Sequence, residues 1–381
     1  RPYQKTAVMR AAYAERGILW LATGAGKTEI AAGLTRVVPG RWLFAVHRTN
    51  LARQAAERIE RRTGERCGML DADTFNVERI TCATFQTLTR MLGGEHKRVS
   101  RNDAMRLMER WDGIIVDEAH TLPALTYYRT MMSIPNANWR IGLSGTPLAR
   151  GDKKSIYTVA SLGPVIMRVK ASELIEAGHL SRPIIRMVTA EQTVVRPTWQ
   201  GAYTENVVKS RVRNRAVVDM AMRAHKPSMV FVKQLKHGQH LTKLLEKVGH
   251  RCVFVNGSAP VEAREAAVER LERRDLDVIV TTAVFQEGVD VPSLRSVVLA
   301  DGGKSVIALL QKIGRGMRRT HAKTTFEVWD IMDLAEGGKK WLERQSRSRA
   351  RSYLSEGHSI EIADCADGPW RQLTKSLRVR G

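Results

Sequence analysis

Short apolar runs alternate with stretches of helical periodicity along most of this 381-residue chain. In the first half, the runs that predict strands are Gly17 to Leu21, Trp42 to Val46, Ile80 to Ala83, Gly113 to Val116 and Arg140 to Leu143. In the second half they are Ser228 to Val232, Arg251 to Asn256, Val278 to Thr282, Ser296 to Ala300 and Glu327 to Ile331. Strands that alternate with helices favour parallel pairing with helices on both faces. The pattern therefore predicts an α/β chain with doubly wound parallel sheets.

The strand pattern divides the chain into two domains and a tail. We expect a first domain over residues 1–189 and a connector with a second domain over 190–335. Residues Ala190 to Tyr203, which include Pro197 and Gly201, have the composition of a connector. Residues 336–381 form a basic C-terminal extension. In doubly wound folds a ligand binds at the carboxyl ends of the strands, so the cleft between the two domains is the expected site.

A phosphate-binding loop follows the first predicted strand. After Leu21 the sequence reads Ala-Thr-Gly-Ala-Gly-Lys-Thr, and a helical stretch begins at Glu29. In such a loop the backbone N–H groups surround the phosphates, the lysine reaches the β- and γ-oxygens, and the hydroxyl holds Mg²⁺. The candidate ATP-binding residues are Gly24, Ala25, Gly26, Lys27 and Thr28. Only the second half of the strict pattern is present, because Leu21 stands where the pattern has glycine.

Two adjacent carboxylates end another apolar strand. Asp117 and Glu118 follow Gly113 to Val116 and precede Ala119 and His120. Alternating side-chain direction gives neighbouring strand residues different tasks. Asp117 is the candidate ligand of Mg²⁺, together with Thr28, and Glu118 is the candidate residue that orients the attacking water. An acidic tetrapeptide alone is a weak signal, but its place after an apolar strand and downstream of a phosphate loop makes it specific.

The phosphate loop and the two carboxylates, together with later segments, resemble the ordered motifs of the superfamily 2 helicases and nucleic-acid translocases. The resemblance covers residues 1–335 and implies two tandem RecA-like domains of the P-loop NTPase class, with ATP and Mg²⁺ as cofactors. Arg1 to Gln4 looks like the adenine-reading Q motif, which implies that Gln4 contacts the base. Gln286 to Pro292 is similar to motif V, which implies that Gly288 and Asp290 lie near the nucleotide.

Gln311 to Arg318 resembles motif VI, in which the family has Gln-x-x-Gly-Arg-x-x-Arg. The resemblance implies that Arg315 and Arg318 approach the transferring phosphate and, with Lys27, Asp117 and Glu118, form the catalytic set. Arginines supplied in this way accelerate phosphoryl transfer by roughly 10³ to 10⁵. Hydrolysis would then depend on closure of the two domains.

Further motifs imply contacts with nucleic acid and coupling to hydrolysis. Ala45 to Gln54 resembles motif Ia, and Thr81 to Leu88 resembles motif Ib. The residues implied to bind nucleic acid are His47, Arg48, Thr84, Gln86, Thr87 and Thr281. Leu143 to Pro147 resembles motif III, which couples hydrolysis to strand movement. The residues implied in coupling are His120, Ser144, Thr146 and Gln311.

Charge and cysteine content agree with a nucleic-acid partner. Lysine and arginine number 62 against 39 acidic residues, a formal net charge of +23, which points to a polyanion. A membrane partner is disfavoured, because no apolar stretch approaches 18 residues. The four cysteines show no Cys-x-x-Cys pair, so neither a zinc site nor a disulfide framework is indicated. We expect a monomer in the cytoplasm of a bacterium or a phage-infected cell, and the start at Arg1 rather than Met leaves room for upstream residues.

The bridge from Gly163 to Pro183 resembles the XPB, UvsW and RadD group of DNA repair and recombination helicases. This implies an ATP-dependent DNA helicase or translocase that acts on branched or partly duplex DNA. Two alternatives stay open. An RNA helicase shares every motif named above, and an ATPase motor subunit or switch that needs a partner would have the same ATP site.

The C-terminal extension has its own basic and aromatic pattern. Between residues 339 and 351 its cations face one acid, Glu343, and Trp341 and Tyr353 are interleaved with them. One interpretation is an element that guides a strand or separates a duplex, and the other is a solvated helix packed on the second domain. Trp20 and Trp42 are expected in the core beside the sheet.

Overall fold

The structure is a computed structural model that describes residues 1–122, 124–145, 155–282, 291, 293–303, 314, 323–335 and 337–373. The chain forms two compact units, Arg1–Lys170 and Ala171–Gly381, which we call unit 1 and unit 2. Among the helices in the described residues, none has both the length and the apolar character that a membrane crossing requires.

Unit 1 contains one eight-stranded sheet. Its strands are β1 (Arg16–Leu21), β2 (Trp42–Val46), β3 (Cys67–Leu70), β4 (Phe75–Asn76), β5 (Ile80–Thr84), β6 (Gly113–Asp117), β7 (Trp139–Ser144) and β8 (Val165–Val169). The order is β4-β3-β5-β2-β6-β7-β1-β8. Every pair is parallel except β3 with β4. The chain thus passes from β1 over β7 and β6 to reach β2, as expected of a doubly wound sheet.

Two groups of helices cover this sheet. The described helices are α1 (Pro2–Ala14), α2 (Lys27–Val37), α3 (Thr49–Thr63), α4 (Phe85–Gly93), α5 (Arg101–Met108), α6 (Leu125–Met132) and α7 (Ser155–Leu162). Helices α1 to α3 pack against one another, and α4 to α7 form the second group. Phe85, Leu88 and Trp111 are fully buried in the main apolar cluster. Trp42 is buried on the sheet as expected, whereas Trp20 is half-buried.

Unit 2 contains a second eight-stranded sheet. Its strands are β9 (Arg182–Gln192), β10 (Ser228–Phe231), β11 (Cys252–Val255), β12 (Val278–Thr281), β13 (Ser296–Leu299), β14 (Thr325–Ala335), β15 (Ile360–Ala363) and β16 (Arg371–Gln372). The order is β11-β12-β10-β13-β14-β9-β15-β16. All pairs are parallel except β15 with β16. The longest pairing joins β9 to β14, from Arg182 opposite Thr325 to Gln192 opposite Ala335.

The described helices of unit 2 are α8 (Ala171–Glu176), α9 (Trp199–Tyr203), α10 (Arg211–Arg223), α11 (Leu235–Lys247), α12 (Val261–Glu272) and α13 (Trp341–Ser355). A π-helical turn, Thr204–Val208, continues α9. Val217, Val230 and Val298 belong to the main buried cluster. Both units are α/β with predominantly parallel sheets, so the predicted fold class is confirmed.

All ten predicted strands are present, with ends shifted by a few residues. The strands that the sequence pattern did not reveal are β3, β4, β8, β9, β15 and β16. The predicted connector starts inside β9, because this strand continues to Gln192 beside β14. The boundary between the two compact units falls between Lys170 and Ala171 in the sequence, whereas the sequence pattern placed the domain boundary after residue 189. Alternating burial along β9 concealed the strand, since its exposed positions carry polar side chains.

The basic extension is an integral part of unit 2. Arg349 of α13 is 4% exposed in its side chain and pairs with the fully buried Asp330 at 2.8 Å. The Tyr353 hydroxyl donates to the same carboxylate, at 2.8 Å from Asp330 Oδ2. The strand β15, farther along the extension, pairs with β9. The expectation of a loosely packed solvated helix is therefore wrong for α13, because its central arginine neutralises a buried carboxylate.

Replacing Arg349 with alanine should leave Asp330 buried without its guanidinium partner. Loss of one member of a buried ion pair costs about 3–5 kcal/mol. We expect the free energy of unfolding, measured by urea denaturation, to fall by that amount. Arg351→Ala is the matched control, because Arg351 is exposed on the same helix and its loss should change stability by less than about 0.5 kcal/mol. Equal stability of the two variants would contradict the structural role of Arg349.

Candidate active site

The strand order of unit 1 brings three predicted segments to one edge of the sheet. Strand β7 lies between β6 and β1. Because these strands are parallel, their carboxyl ends lie at the same edge. Leu21 ends β1 before the phosphate loop, Asp117 ends β6, and Ser144 ends β7. Three segments that are distributed between residues 21 and 144 of the sequence thus meet in space.

The loop between β1 and α2 has the geometry of an anion site. Gly24 and Gly26 have φ angles of 86° and 82°, in the left-handed region that favours glycine. Gly26 is the N-cap of α2, and no side chain caps this helix. Its first-turn N–H groups carry the positive end of the helix dipole. The residues present therefore fit a phosphate group at this helix terminus.

Two side chains of α1 donate hydrogen bonds to the phosphate loop. Gln4 Nε2 donates to Ala25 O at 3.0 Å, and the Tyr3 hydroxyl donates to the same oxygen at 2.6 Å. A Cβ atom on Gly26 would lie 2.5 Å from Gln4 Nε2. Gln4 is thus in direct contact with the loop, while its contact with adenine stays a prediction. Sequence reasoning missed Tyr3, whose place beside Gln4 was the available signal.

Lys27 joins the phosphate loop to the two carboxylates. Its Nζ lies 2.6 Å from Glu118 Oε1 and 3.4 Å from Asp117 Oδ1. The side chains of Lys27, Asp117 and Glu118 are 13%, 17% and 18% exposed. The weak exposure makes these charges interact more strongly than they would in water. The three residues predicted to be the centre of catalysis are therefore in mutual contact.

Burial and mutual attraction act in opposite directions on the pKa values of this cluster. Burial lowers the pKa of Lys27, but the two carboxylates outweigh it and the net pKa is raised. Burial raises the pKa of Glu118, and Lys27 with His120 outweighs it, so the net pKa is lowered. At Asp117 burial dominates and, with the Glu118 charge, raises the pKa despite Lys27. Glu118 is therefore firmly ionised, whereas Asp117 lacks enough positive charge nearby.

The donor set around Asp117 fits a magnesium ion. Asp117 Oδ1 accepts the N–H of Glu118 at 2.9 Å, and the raised pKa shows that an additional cation would be favourable there. Thr28 supplies a hydroxyl in the first turn of α2. Within the described ranges no group of three or more His, Cys, Asp or Glu residues could hold a metal. Mg²⁺ is commonly bound by one or two protein groups together with phosphates and water, and Asp117 with Thr28 would supply such groups.

Glu118 has an unusual backbone conformation. Its φ and ψ angles are 49° and 52°, a left-handed region that is unfavourable for residues other than glycine. The Thr121 hydroxyl donates to Glu118 O at 3.0 Å and supports this turn. The turn directs the carboxylate toward Lys27 on one side and His120 on the other, whose Nδ1 lies 3.2 Å from Glu118 Oε2. Strained residues of this kind concentrate at functional sites.

His120 connects the carboxylates to the end of β7. Its Nδ1 lies 3.3 Å from Ser144 Oγ, and Ser144 is fully buried. The Trp20 indole donates to Gly145 O at 2.8 Å, and the Arg168 guanidinium lies 4.1 Å from the Trp20 ring. Neither Trp20 nor Arg168 was singled out for this role from the sequence. The β7 end is thus linked to both the carboxylates and the strand before the phosphate loop.

The predicted nucleic-acid contacts are divided between buried and exposed positions. Thr84 Oγ1 caps α4 through the Thr87 N–H at 3.1 Å, and both threonines are buried. Gln86 between them is exposed, and His47 with Arg48 follows β2 at the carboxyl edge. In unit 2, buried Thr281 donates to Val255 O at 2.9 Å. The buried threonines thus shape the loops, and contact with nucleic acid by this set stays a prediction.

Several predicted residues lie outside the described residues. They are Thr146, Gly288, Asp290, Gln311, Arg315 and Arg318. Their roles in nucleotide contact, coupling and catalysis stay predictions.

Gly26→Ala should impair nucleotide binding more than backbone strain alone would. The new Cβ would meet Gln4 Nε2 at 2.5 Å and would occupy a left-handed position. We expect at least about a tenfold loss of affinity for a fluorescent ATP analogue, because a shift of the loop misplaces its N–H groups. Gly64→Ala is the matched control, since Gly64 has φ of +77° and no atom within 4 Å of an added Cβ. Normal binding by Gly26→Ala would refute this account of the loop.

Two family models match the chain in regions that correspond to the two halves of the fold. Residues 1–149 match the type III restriction enzyme, res subunit. Residues 213–320 match the helicase conserved C-terminal domain. The first match contains the Lys27, Asp117 and Glu118 cluster, and the second contains the predicted motif with Arg315 and Arg318.

Curated relatives and solved structures agree with these matches. A Halobacterium salinarum protein named Rad25 is 29% identical over 97% of this chain, which spans 59% of that protein's length. The ATP-dependent DNA helicase uvsW of Enterobacteria phage T4 is 25% identical over 99% of this chain and 77% of its own. A Vibrio vulnificus fragment, assigned as the HsdR subunit of a type I restriction enzyme, has 18% identity and a TM-score of 0.66. That match covers 98% of this chain and 70% of the fragment, and it supports the fold alone. From the two domain matches and the helicase relatives, the chain belongs to superfamily 2, the helicases and translocases, and is similar to its Rad25/XPB and UvsW members.

Proposed function

We propose that this chain is an ATP-dependent DNA helicase or translocase. The observation that carries the proposal is the contact of Lys27 with Asp117 and Glu118 beside the uncapped N-terminus of α2. This arrangement combines a phosphate site, a metal ligand and a general base within one sheet edge. Phosphoryl transfer to water requires these three parts.

Each residue of the cluster has a distinct part in the proposed hydrolysis. The α2 N–H groups and Lys27 bind the phosphate oxygens, so Lys27 exchanges one carboxylate contact for the nucleotide. Thr28 and Asp117 would hold Mg²⁺, and the ion would supply positive charge to the phosphates when bound. Glu118, ionised because of Lys27 and His120, orients and deprotonates the attacking water. Arg315 and Arg318 are proposed to stabilise charge on the transferring phosphate.

The link from His120 to Ser144 offers a route from hydrolysis to movement. His120 contacts both Glu118 and Ser144, so a change at the carboxylate alters a hydrogen bond at the end of β7. Thr146 follows two residues later, and Gln311 belongs to the second matched domain. We propose that these residues couple nucleotide state to the grip on a strand. His47, Arg48, Thr84, Gln86, Thr87 and Thr281 are the proposed contacts with that strand.

The names of the relatives and the charge of the chain support DNA as the substrate. The T4 protein is named a DNA helicase, and this chain has a formal net charge of +23. Branched or partly duplex DNA, action as a monomer and a place in the cytoplasm of a bacterial or phage-infected cell are further parts of the proposal. Binding should weaken steeply with salt, because phosphate contacts release counterions.

A motor subunit of a larger assembly is the second candidate function. The N-terminal match is to a subunit of a restriction enzyme, and the chain spans about three fifths of the first relative. Such a subunit would hydrolyse ATP only with its partner present.

Steady-state ATP hydrolysis with different nucleic acids tests the proposal. The reactions would contain no nucleic acid, single-stranded DNA, forked DNA, a four-way junction or RNA at one salt concentration. Stimulation by forked or four-way DNA supports the branched substrate, and stronger stimulation by RNA moves the protein to the RNA helicases. Absence of stimulation by every one of these nucleic acids favours the motor subunit that needs its partner.

Lys27→Ala, Glu118→Gln and Arg315→Ala should each reduce ATP turnover while largely sparing DNA affinity. The first removes a phosphate ligand, the second removes the base, and the third removes charge stabilisation worth roughly 10³-fold or more. Turnover would be measured by phosphate release and DNA affinity by fluorescence anisotropy. Lys243→Ala, at an exposed position on α11, serves as the control with normal turnover. Hydrolysis at the wild-type rate in any of the three variants would break the assignment of that residue.

A further inference from the structure

A row of aromatic rings and lysines runs through unit 2 beside its sheet. Lys233 follows β10, and its Nζ lies 5.5 Å from the centroid of the Tyr203 ring. The Tyr203 and Trp199 rings are 5.6 Å apart, and Trp199 meets Trp341 edge-on at 6.5 Å. Lys339 Nζ lies 5.4 Å from the Trp341 ring. The row therefore connects two exposed lysines from distant parts of the sequence.

A shallow pocket lies at the far end of this row, where β9 and β14 end. Arg196, Lys339 and Lys340 line it, together with Gln192. Among the described residues these three cations form no ion pair with an acid. Gln192 Nε2 is buried and has no hydrogen-bond partner. All four side chains offer donors, so the pocket suits an anion.

The volume of the pocket limits what the anion can be. It is about 20 Å³, close to the space that one water molecule occupies. A base or a whole nucleotide is therefore excluded, while one oxygen of a phosphate group fits with the rest of the group at the surface. Arginine and lysine are the side chains that proteins use for phosphate recognition.

The charged groups at the first turn of α13 do not cancel the positive potential of this pocket. Lys340 is the N-cap of this 15-residue helix, and no side chain caps it. The acid of its first turn, Glu343, accepts the Ala335 N–H at 3.2 Å and the Arg347 Nε–H at 2.8 Å. The carboxylate is thus engaged by other donors. The helix N-terminus adds partial positive charge to that of the cations.

The pocket lies at the same edge of the sheet as the segments predicted to contact a nucleic-acid strand. Strand β12 ends at Thr281, β10 at Phe231 and β9 at Gln192. The strands between β10 and β9 are β13 and β14. Three strand spacings of about 4.8 Å separate β10 from β9 across the sheet, and the strand pairing places Gln192 five residues beyond the level of Phe231, so the two strand ends are roughly 22 Å apart. A strand that passes Lys233 could therefore continue along the row to the pocket.

Packing explains the rings, whereas the pocket cations Arg196, Lys339 and Lys340 form no ion pair within the described residues that would account for their charge. Trp199 packs on the buried cluster of Tyr203, Val207 and Leu342, which fixes α13 beside α9. We propose that Lys233, Arg196, Lys339 and Lys340, here named the cationic ledge, bind the phosphate backbone of a single nucleic-acid strand. The ledge rests on the proposed function, because it extends the path of the same strand across unit 2.

Salt dependence of strand binding tests the ledge. The ledge variant is Arg196→Ala/Lys339→Ala/Lys340→Ala, and the matched control is Lys243→Ala/Lys247→Ala/Arg270→Ala. The control also removes three positive charges, from exposed positions on α11 and α12. These residues lie toward the C-terminal ends of their helices, which return the chain to the edge of the sheet opposite the ledge. Affinity for a fluorescein-labelled oligothymidylate would be measured by anisotropy between about 50 and 200 mM salt.

We expect the ledge variant to bind about tenfold more weakly at the lower salt concentration. Its slope of log affinity against log salt should fall in magnitude by about 2, since each single-strand phosphate contact contributes about 0.7. It should need more DNA for half-maximal ATPase stimulation, with unchanged turnover in the absence of DNA. The charge-preserving variant Arg196→Lys/Lys339→Arg/Lys340→Arg should restore most of the slope.

An unchanged slope in the ledge variant, or an equal loss in the control, overturns the ledge. If the wild-type protein binds the strand and hydrolyses ATP in that case, the proposed function stands and only the ledge fails. If the wild-type protein shows no binding to the strand, both the ledge and the proposed function fail.

Discussion

Parallel pairing of β6, β7 and β1 is the constraint on which the candidate active site depends. Because the three strands run in the same direction, the phosphate loop, the two carboxylates and the Ser144 segment must leave the sheet at one edge. The apolar strand residues determine how the strands pair, and this pairing brings together the polar residues that follow each strand. Lys27 closes the arrangement by contacting both carboxylates, and its single positive charge keeps Glu118 ionised but leaves Asp117 short of positive charge.

Much of this architecture can be predicted from the sequence, for identifiable reasons. The strands of the two sheet centres are continuous apolar runs, as burial on both faces requires, and β2 and β6 were located to within a residue. Strand β9, between β14 and β15, has polar side chains at most of its exposed and half-buried positions and was missed, as was the short edge strand β8, in which Arg168 interrupts the apolar run. The cluster of Lys27, Asp117 and Glu118 could be predicted because each of its residues stands in a local motif. The contacts of Tyr3, Trp20 and Arg168 could not, since no motif position assigns a partner to any of these three side chains.

The C-terminal extension illustrates why composition alone is ambiguous. Arg349 belongs to the same basic run as Lys340 and Arg351, yet it pairs with buried Asp330, while the other two are exposed. Helical periodicity separates the faces, but a buried arginine is indistinguishable from a solvated one until its acid partner on β14 is known. The extension thus combines two properties, a buried ion pair that attaches it to unit 2 and an exposed face that is free to carry charge.

The left-handed backbone of Glu118 has a consequence for how this sequence can evolve. A non-glycine residue in that conformation costs roughly 1–3 kcal/mol, so glycine at this position would relieve strain in the turn. Selection for folding stability alone would therefore tend to replace the residue that we propose orients the attacking water. The stability of the turn does not explain glutamate at position 118, whereas the proposed role of its carboxylate does, so a stability-guided redesign of this chain should hold that position fixed.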